Sequence, residues 1–172
     1  MYHAIVKRIA TRNFERVNDK DYEALLKGCA PDIHHRFGGN HPLGGERHDK
    51  EALRRWFDRL GRLGPSLKLA VTDVWVKGLP HNTIIIRWTG SQTLPDKSPY
   101  ENHGVHIVRM RWGKIVDIDA NEDSQVVAES MQVFAAHGVE EALAPPAHRQ
   151  LSHPDWTPTR RRPRAASAAD PC

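Results

Sequence analysis

Cysteine is almost absent: only Cys29 and Cys172 occur among 172 residues, and the second is terminal. That pattern excludes a disulfide framework and any CxxC metal pair. Long apolar runs are missing too. No stretch of about 18 apolar residues occurs, and the opening Met1-Tyr-His-Ala-Ile-Val-Lys-Arg has no signal-peptide core. The expectation is a reducing, cytoplasmic setting with no membrane partner. A strong charge of one sign is lacking in the body of the chain. The net charge is +4, but residues 145–172 hold five arginines against Asp155 and Asp170, which leaves the rest near +1. A nearly neutral domain lacks the electrostatic footprint of a nucleic-acid binder, so such contacts are expected only, and weakly, from the tail. The glycines at 38, 39, 44 and 45 follow neither a GxGxxG nor a P-loop pattern, so no nucleotide cofactor is expected.

What is present suits one domain of ordinary size. Val6, Ile9, Ala10, Asn13 and Val17 recur with helical spacing, with Phe14 beside them. Asp19 or Asp21 can cap a shorter helix bearing Tyr22, Leu25, Leu26 and Cys29, which Pro31 stops after Ala30. Ile33 to Phe37 read as extended, and Gly38 to Gly45 as a loop. Asp49 caps a third helix whose buried stripe is Leu53, Trp56, Phe57, Leu60 and Leu63.

After Pro65 the period changes to two. Residues 67–76, 83–93, 101–112 and 115–121 predict four strands, the last two joined by a tight antiparallel hairpin. Asp123 caps a closing helix with Val126, Val127, Ser130, Met131 and Phe134 inside. This order is α+β. A bent, mainly antiparallel sheet covered by the helices would form a cone-shaped barrel enclosing a pocket. The expected domain is 1–144. Residues 145–172, with half of the twelve prolines and most of their charge from arginine, form an expected disordered basic tail.

The phrases Cys29-Ala-Pro-Asp-Ile-His-His-Arg-Phe-Gly-Gly39, Gly104-Val-His-Ile-Val-Arg-Met-Arg-Trp-Gly-Lys-Ile-Val116 and Glu122-Asp-Ser-Gln-Val-Val127 resemble the SnoaL-like group. That group belongs to the nuclear transport factor 2-like superfamily, with the ketosteroid isomerases, limonene epoxide hydrolases and scytalone dehydratases. The resemblance spans roughly Tyr2 to Ala144. It implies a cone-shaped barrel, a homodimer, and one deep pocket per subunit for a small apolar organic ligand. It also places the family's carboxylates at positions that lack them here. The polyketide cyclase aspartate falls at Ala120, and a second hydrolase aspartate falls at Thr89, two residues after Arg87. The isomerase base aligns near Phe37, and its protonated acid near His106. Asp117 and Asp119 alternate away from Val116, Ile118 and Ala120, towards solvent or a dimer contact.

The candidate catalytic residues are therefore histidines. His35, between Ile33 and Phe37, and His106, sharing a strand face with Val108 and Met110, both point inward by alternation. Phe37, Trp56, Trp88, Tyr100, His103, Val108 and Ala120 are the expected pocket-lining set. Arg36 and Arg87 alternate outward. No metal is expected, because no HxH or HExxH spacing joins His34, His35, His41 and His48. Two functional readings stand. One is a cofactor-independent isomerase, cyclase or lyase using histidine acid/base chemistry on a small apolar carbonyl compound. The other is a non-catalytic ligand-binding or dimeric interaction domain that has lost the family's carboxylates.

Overall fold

A computed structural model of the chain describes residues 1–147; the remainder of the basic tail, 148–172, lies outside the described residues. Helices α1 (Tyr2–Asn18), α2 (Tyr22–Lys27), α3 (Lys50–Leu63) and α4 (Ser124–Ala136) accompany six strands. The strands are β1 (Cys29–Phe37), β2 (Gly45–Arg47), β3 (Lys68–Lys77), β4 (Asn82–Thr93), β5 (Pro99–Arg111) and β6 (Lys114–Glu122). They form one sheet in the order β2-β1-β6-β5-β4-β3. Every pairing is antiparallel except β1 with β6. The sheet curls without closing, and the helices cover its concave side: α1 packs on β3 and β4, α3 on β1, and α4 on β5. This is the cone-like α+β architecture that the element order implies. No helix among the described residues is long and apolar enough to cross a membrane.

Local chemistry explains where the helices start. Asp21, Asp49 and Asp123 are N-caps whose carboxylates accept from the backbone N–H of Ala24, Ala52, and both Gln125 and Val126. Each satisfies donors that the first helical turn leaves open. The second helix is shorter than its spacing implies. It ends at Lys27, and Cys29 already belongs to β1, its thiol turned back to the carbonyl of Leu25 at 3.7 Å. Cys29 keeps helical spacing with Leu25 and Leu26 only because both elements bury it.

Two further departures shape the site. The glycine-rich loop closes into the short strand β2, whose Arg47 is buried and donates to the carbonyls of Leu43, Gly44 and Gly45. The Arg47 guanidinium also lies over the Trp56 ring, 5.6 Å from its centroid. Gly45 has φ +98, and a Cβ there would stand 2.1 Å from the carbonyl oxygen of Ala147, so only glycine fits. The second departure is in β6. Arg109 pairs with Asp117 but Met110 pairs with Ile115, so Val116 is an extra residue in a bulge. The bulge switches the inward set: Ile115, and not Val116, reaches the interior, followed by Ile118 and then Ala120 and Glu122.

Candidate functional site

Between the concave face and the helices lies a cavity of about 130 Å³. Its walls are overwhelmingly apolar: Ala10 and Phe14 from α1, Trp56 and Phe57 from α3, and Val127 and Met131 from α4 supply the helical side. Trp56 is fixed by donation from its indole Nε1 to the carbonyl of Leu43 at 2.8 Å. The sheet supplies most of the polar groups, because alternation turns every second side chain inward, and Asn13 of α1 and Ser130 of α4 add the others.

The register across β1, β6 and β5 sets the order of these groups. Phe37, Ala120 and His106 share one rung; His35, Ile118 and Val108 share the next. Beyond Ala120 the same face presents Glu122, opposite Gly104. Room for this carboxyl comes from a small neighbour. A Cβ on Gly38 would stand 3.2 Å from Glu122 Oε1.

The polar atoms here are unusual for a packed interior. His35 Nδ1, His106 Nε2, Trp88 Nε1, Gln92 Oε1 and both carboxyl oxygens of Glu122 are buried without a hydrogen-bond partner, and all five residues bound the cavity. An unpaired buried donor or acceptor costs about 1–3 kcal/mol, so these atoms need partners from water or a ligand inside the cavity. By contrast, Ser130 donates to the carbonyl of Val127, and the Tyr100 hydroxyl accepts from Asn102 Nδ2 at 2.9 Å.

Burial decides the charge of these groups. Glu122 is pushed up to about 8, mainly by burial, with Asp119 and Asp123 adding to the rise and Arg36 opposing it. Burial lowers His106 to about 4, although Asp119 pulls the other way. His35 falls well below 6.5 through burial and the nearby positive charge of Arg47. At neutral pH the chamber holds a carboxylic acid and neutral imidazoles: a donor beside acceptors, with no net charge.

The structure brings most of the expected residues together. His35, His106, Phe37, Trp56, Trp88, Tyr100 and Val108 all bound the cavity. Two do not. His103 pairs with Thr89 on the outer, exposed face of the sheet, because inward positions on β5 are the even-numbered ones. Ala120 faces inward but is wholly buried between Phe37 and His106 and forms no part of the wall. Asp117 is also corrected. It points away from the cavity as alternation requires, yet it is buried, held by His34 Nδ1 at 2.7 Å and Arg109 Nε at 3.1 Å. The residue that the sequence reading misses is Glu122. Its signal is present, since it continues the inward series from Ile118 and Ala120 by one more step of two.

The profile of the SnoaL-like domain matches residues 10–118. No curated protein matches the sequence. Among solved structures, TerC co-crystallised with polyporic acid is 18% identical over 74% of this chain and 97% of its own, with a TM-score of 0.60. An NTF2-like protein of unknown function from Burkholderia pseudomallei is 17% identical over 72% and 94%, with a TM-score of 0.62. IdmH from Streptomyces antibioticus, described as a candidate polyketide cyclase, is 21% identical over 74% and 97%, with a TM-score of 0.57. At these identities the likeness is one of fold.

Proposed function

The chain belongs to the SnoaL-like domain family, and from that premise we propose that its chamber performs cofactor-independent acid/base chemistry on a small apolar carbonyl compound. The observation that carries this reading is the set of unpartnered polar atoms on Glu122, His35 and His106 inside an otherwise apolar cavity. Isomerisation, cyclisation and dehydration of such compounds share one step, removal of a proton next to a carbonyl. A neutral imidazole, at His106 or His35, accepts that proton. The Glu122 carboxylic acid donates a hydrogen bond to the carbonyl oxygen as negative charge gathers on it. The proton then returns from the imidazolium to carbon or to the departing oxygen. A donor that is neutral until charge develops stabilises the transition state more than the bound ketone, which is the requirement for rate enhancement.

Glu122 favours this reading over a binding module stripped of carboxylates. The family position at Ala120 is empty of an acid, but an acid stands one inward step further along β6. A homodimer is part of the proposal. What supports it is an apolar row on the outer sheet face, where Trp75, Ile85 and Ile107 pair in register across three strands and remain 37–49% exposed.

Native mass spectrometry of the protein purified from its host tests the ligand class. The expected species is a dimer with one small neutral organic molecule, of about one ring, per subunit. Recovery of a nucleotide or another polyanion in the chamber would sink the proposal, since the chamber offers no cation to neutralise it.

A further inference from the structure

The opposite face of the same strands carries a second cluster that the chamber does not use. His34 and His35 point to opposite sides of β1, so His34 is on the outer face. Spacing along the chain joins His34 to no other ligand, but strand pairing does. His35 pairs with Arg47 and Arg36 with Glu46. Continued by one residue, that register sets His48 opposite His34, and alternation along Glu46-Arg47-His48 puts Glu46 on the same face. From the other side, the parallel pairing of β1 with β6 sets Asp117 beside His34.

The contacts are specific. His34 Nε2 is 3.4 Å from Glu46 Oε2, and His48 Nε2 is 3.7 Å from the same oxygen. One ligand atom from each of the three residues lies within 4.8 Å of the others. The remaining nitrogen of His34, Nδ1, meets Asp117 Oδ1 at 2.7 Å, and Arg109 holds the second oxygen of Asp117 at 3.1 Å.

A carboxylate accepts only, so the short contact to Asp117 places a proton on His34 Nδ1. In the neutral ring Nε2 then presents a lone pair to a carboxylate oxygen of Glu46. His48 Nε2 faces that oxygen as well. With His48 in the tautomer that leaves Nε2 unprotonated, two imidazole nitrogens and one carboxylate oxygen converge, a donor set that a divalent cation can bridge. The two separations to Glu46, 3.4 and 3.7 Å, are near the roughly 3.3 Å that bonds of about 2.0–2.1 Å at tetrahedral angles put between neighbouring ligand atoms, and the two histidine nitrogens lie within 4.8 Å of each other. The Asp117 contact is the carboxylate–histidine support that metal-bound imidazoles use to fix tautomer and ring orientation.

We propose that His34 Nε2, Glu46 Oε2 and His48 Nε2 form a zinc site on the outer face of the sheet, positioned by Asp117 and Arg109. Two imidazoles and a carboxylate suit a divalent transition metal better than magnesium or calcium. Three protein ligands leave a fourth position for water, on the side where His48 is 47% exposed. The site spans the β2–β1–β6 edge, so metal there ties the short strand β2 to the sheet. It is independent of the chamber reading, because its ligands face the other way.

The test is isothermal titration of the chelator-treated full chain with zinc chloride alone, repeated on His34→Ala, His48→Gln and Asp117→Asn. The expected result is one tight equivalent in the parent, weakened roughly 100-fold or more by either histidine change and about 10–100-fold by Asp117→Asn. Zinc also raises the thermal midpoint of the parent and leaves that of the two histidine variants unmoved, a readout that needs no activity. Cobalt substituted for zinc gives the intense visible absorption of a four-coordinate centre. Absence of a tight equivalent, or its persistence in both histidine variants, overturns the proposal and leaves the cluster as a surface network of imidazoles and carboxylates.

Discussion

The thermal midpoint of this protein is expected to pass through a maximum near pH 6.5 and to fall on both sides. On the alkaline side the cause is Glu122. Its folded value of about 8 lies above its ordinary 4.5, so the folded chain holds a proton that the unfolded chain has released. Stability from that group is complete below 4.5 and is lost as pH rises through 8. On the acid side the cause is buried imidazole. His106 and His41 both fall from 6.5 to about 4, so their contribution is complete above 6.5 and disappears as pH drops through 4. Between 4.5 and 6.5 the two effects oppose each other, and the histidines, with His35 lowered in the same direction, outweigh the single acid. Above 6.5 only the acid acts. From there to pH 8 the loss is about 2 kcal/mol, a fall of roughly 4–8 °C for a domain of this size. Scanning calorimetry of the parent beside Glu122→Gln measures it. The variant keeps the acid limb and loses the alkaline one. An alkaline limb of equal size in both proteins would mean that Glu122 is ionised and solvated in the folded chain.

Turnover should respond to the same residue far more sharply. On the compound recovered from the chamber, Glu122→Gln is expected to lower kcat by about 10²–10⁴ with little change in KM. The carboxamide still donates a hydrogen bond, so the ligand is held, but the strong donor for the developing oxyanion is gone. His106→Phe keeps the shape of the wall and removes an acceptor, and it too acts on kcat. In the parent, kcat/KM follows a bell with limbs near 4, where His106 gains a proton, and near 8, where Glu122 loses one. A KM effect without a kcat effect would assign Glu122 to binding alone.

How far these groups could be read from the chain depends on the range of the interaction that places them. The caps at Asp49 and Asp123 are local, within three residues, and the sequence states them directly, whereas for the second helix it offers Asp19 or Asp21 and the structure uses Asp21. The inward histidines follow from alternation inside one strand, which is also local. Val116 was lost to a bulge, which adds a residue to one strand without any composition of its own. Cys29 obeyed the helical spacing of Leu25 and Leu26 yet is in β1, because burial alone does not distinguish the last helical turn from the first strand residue. The family resemblance puts the acid position at Ala120, whereas the acid of this chain stands one inward step further along β6, at Glu122. The outer cluster was illegible for a different reason. His34, Glu46, His48 and Asp117 meet only through two strand pairings, one parallel and one antiparallel, and nothing in their spacing specifies either register.

The most direct test of a neutral chamber with a carboxylic acid donor is a paired NMR titration with acetophenone and ethylbenzene at pH 6.5. The cavity, about 130 Å³, is comparable to engineered apolar cavities of about 150 Å³ that take up benzene, so both probes are of suitable size. The account predicts that the ketone binds roughly tenfold more tightly, the difference of one hydrogen bond, and shifts the resonances of Glu122 and His106. Glu122→Leu erases that preference while leaving ethylbenzene bound. Equal affinity for the two probes in the parent, or exclusion of both, would contradict it.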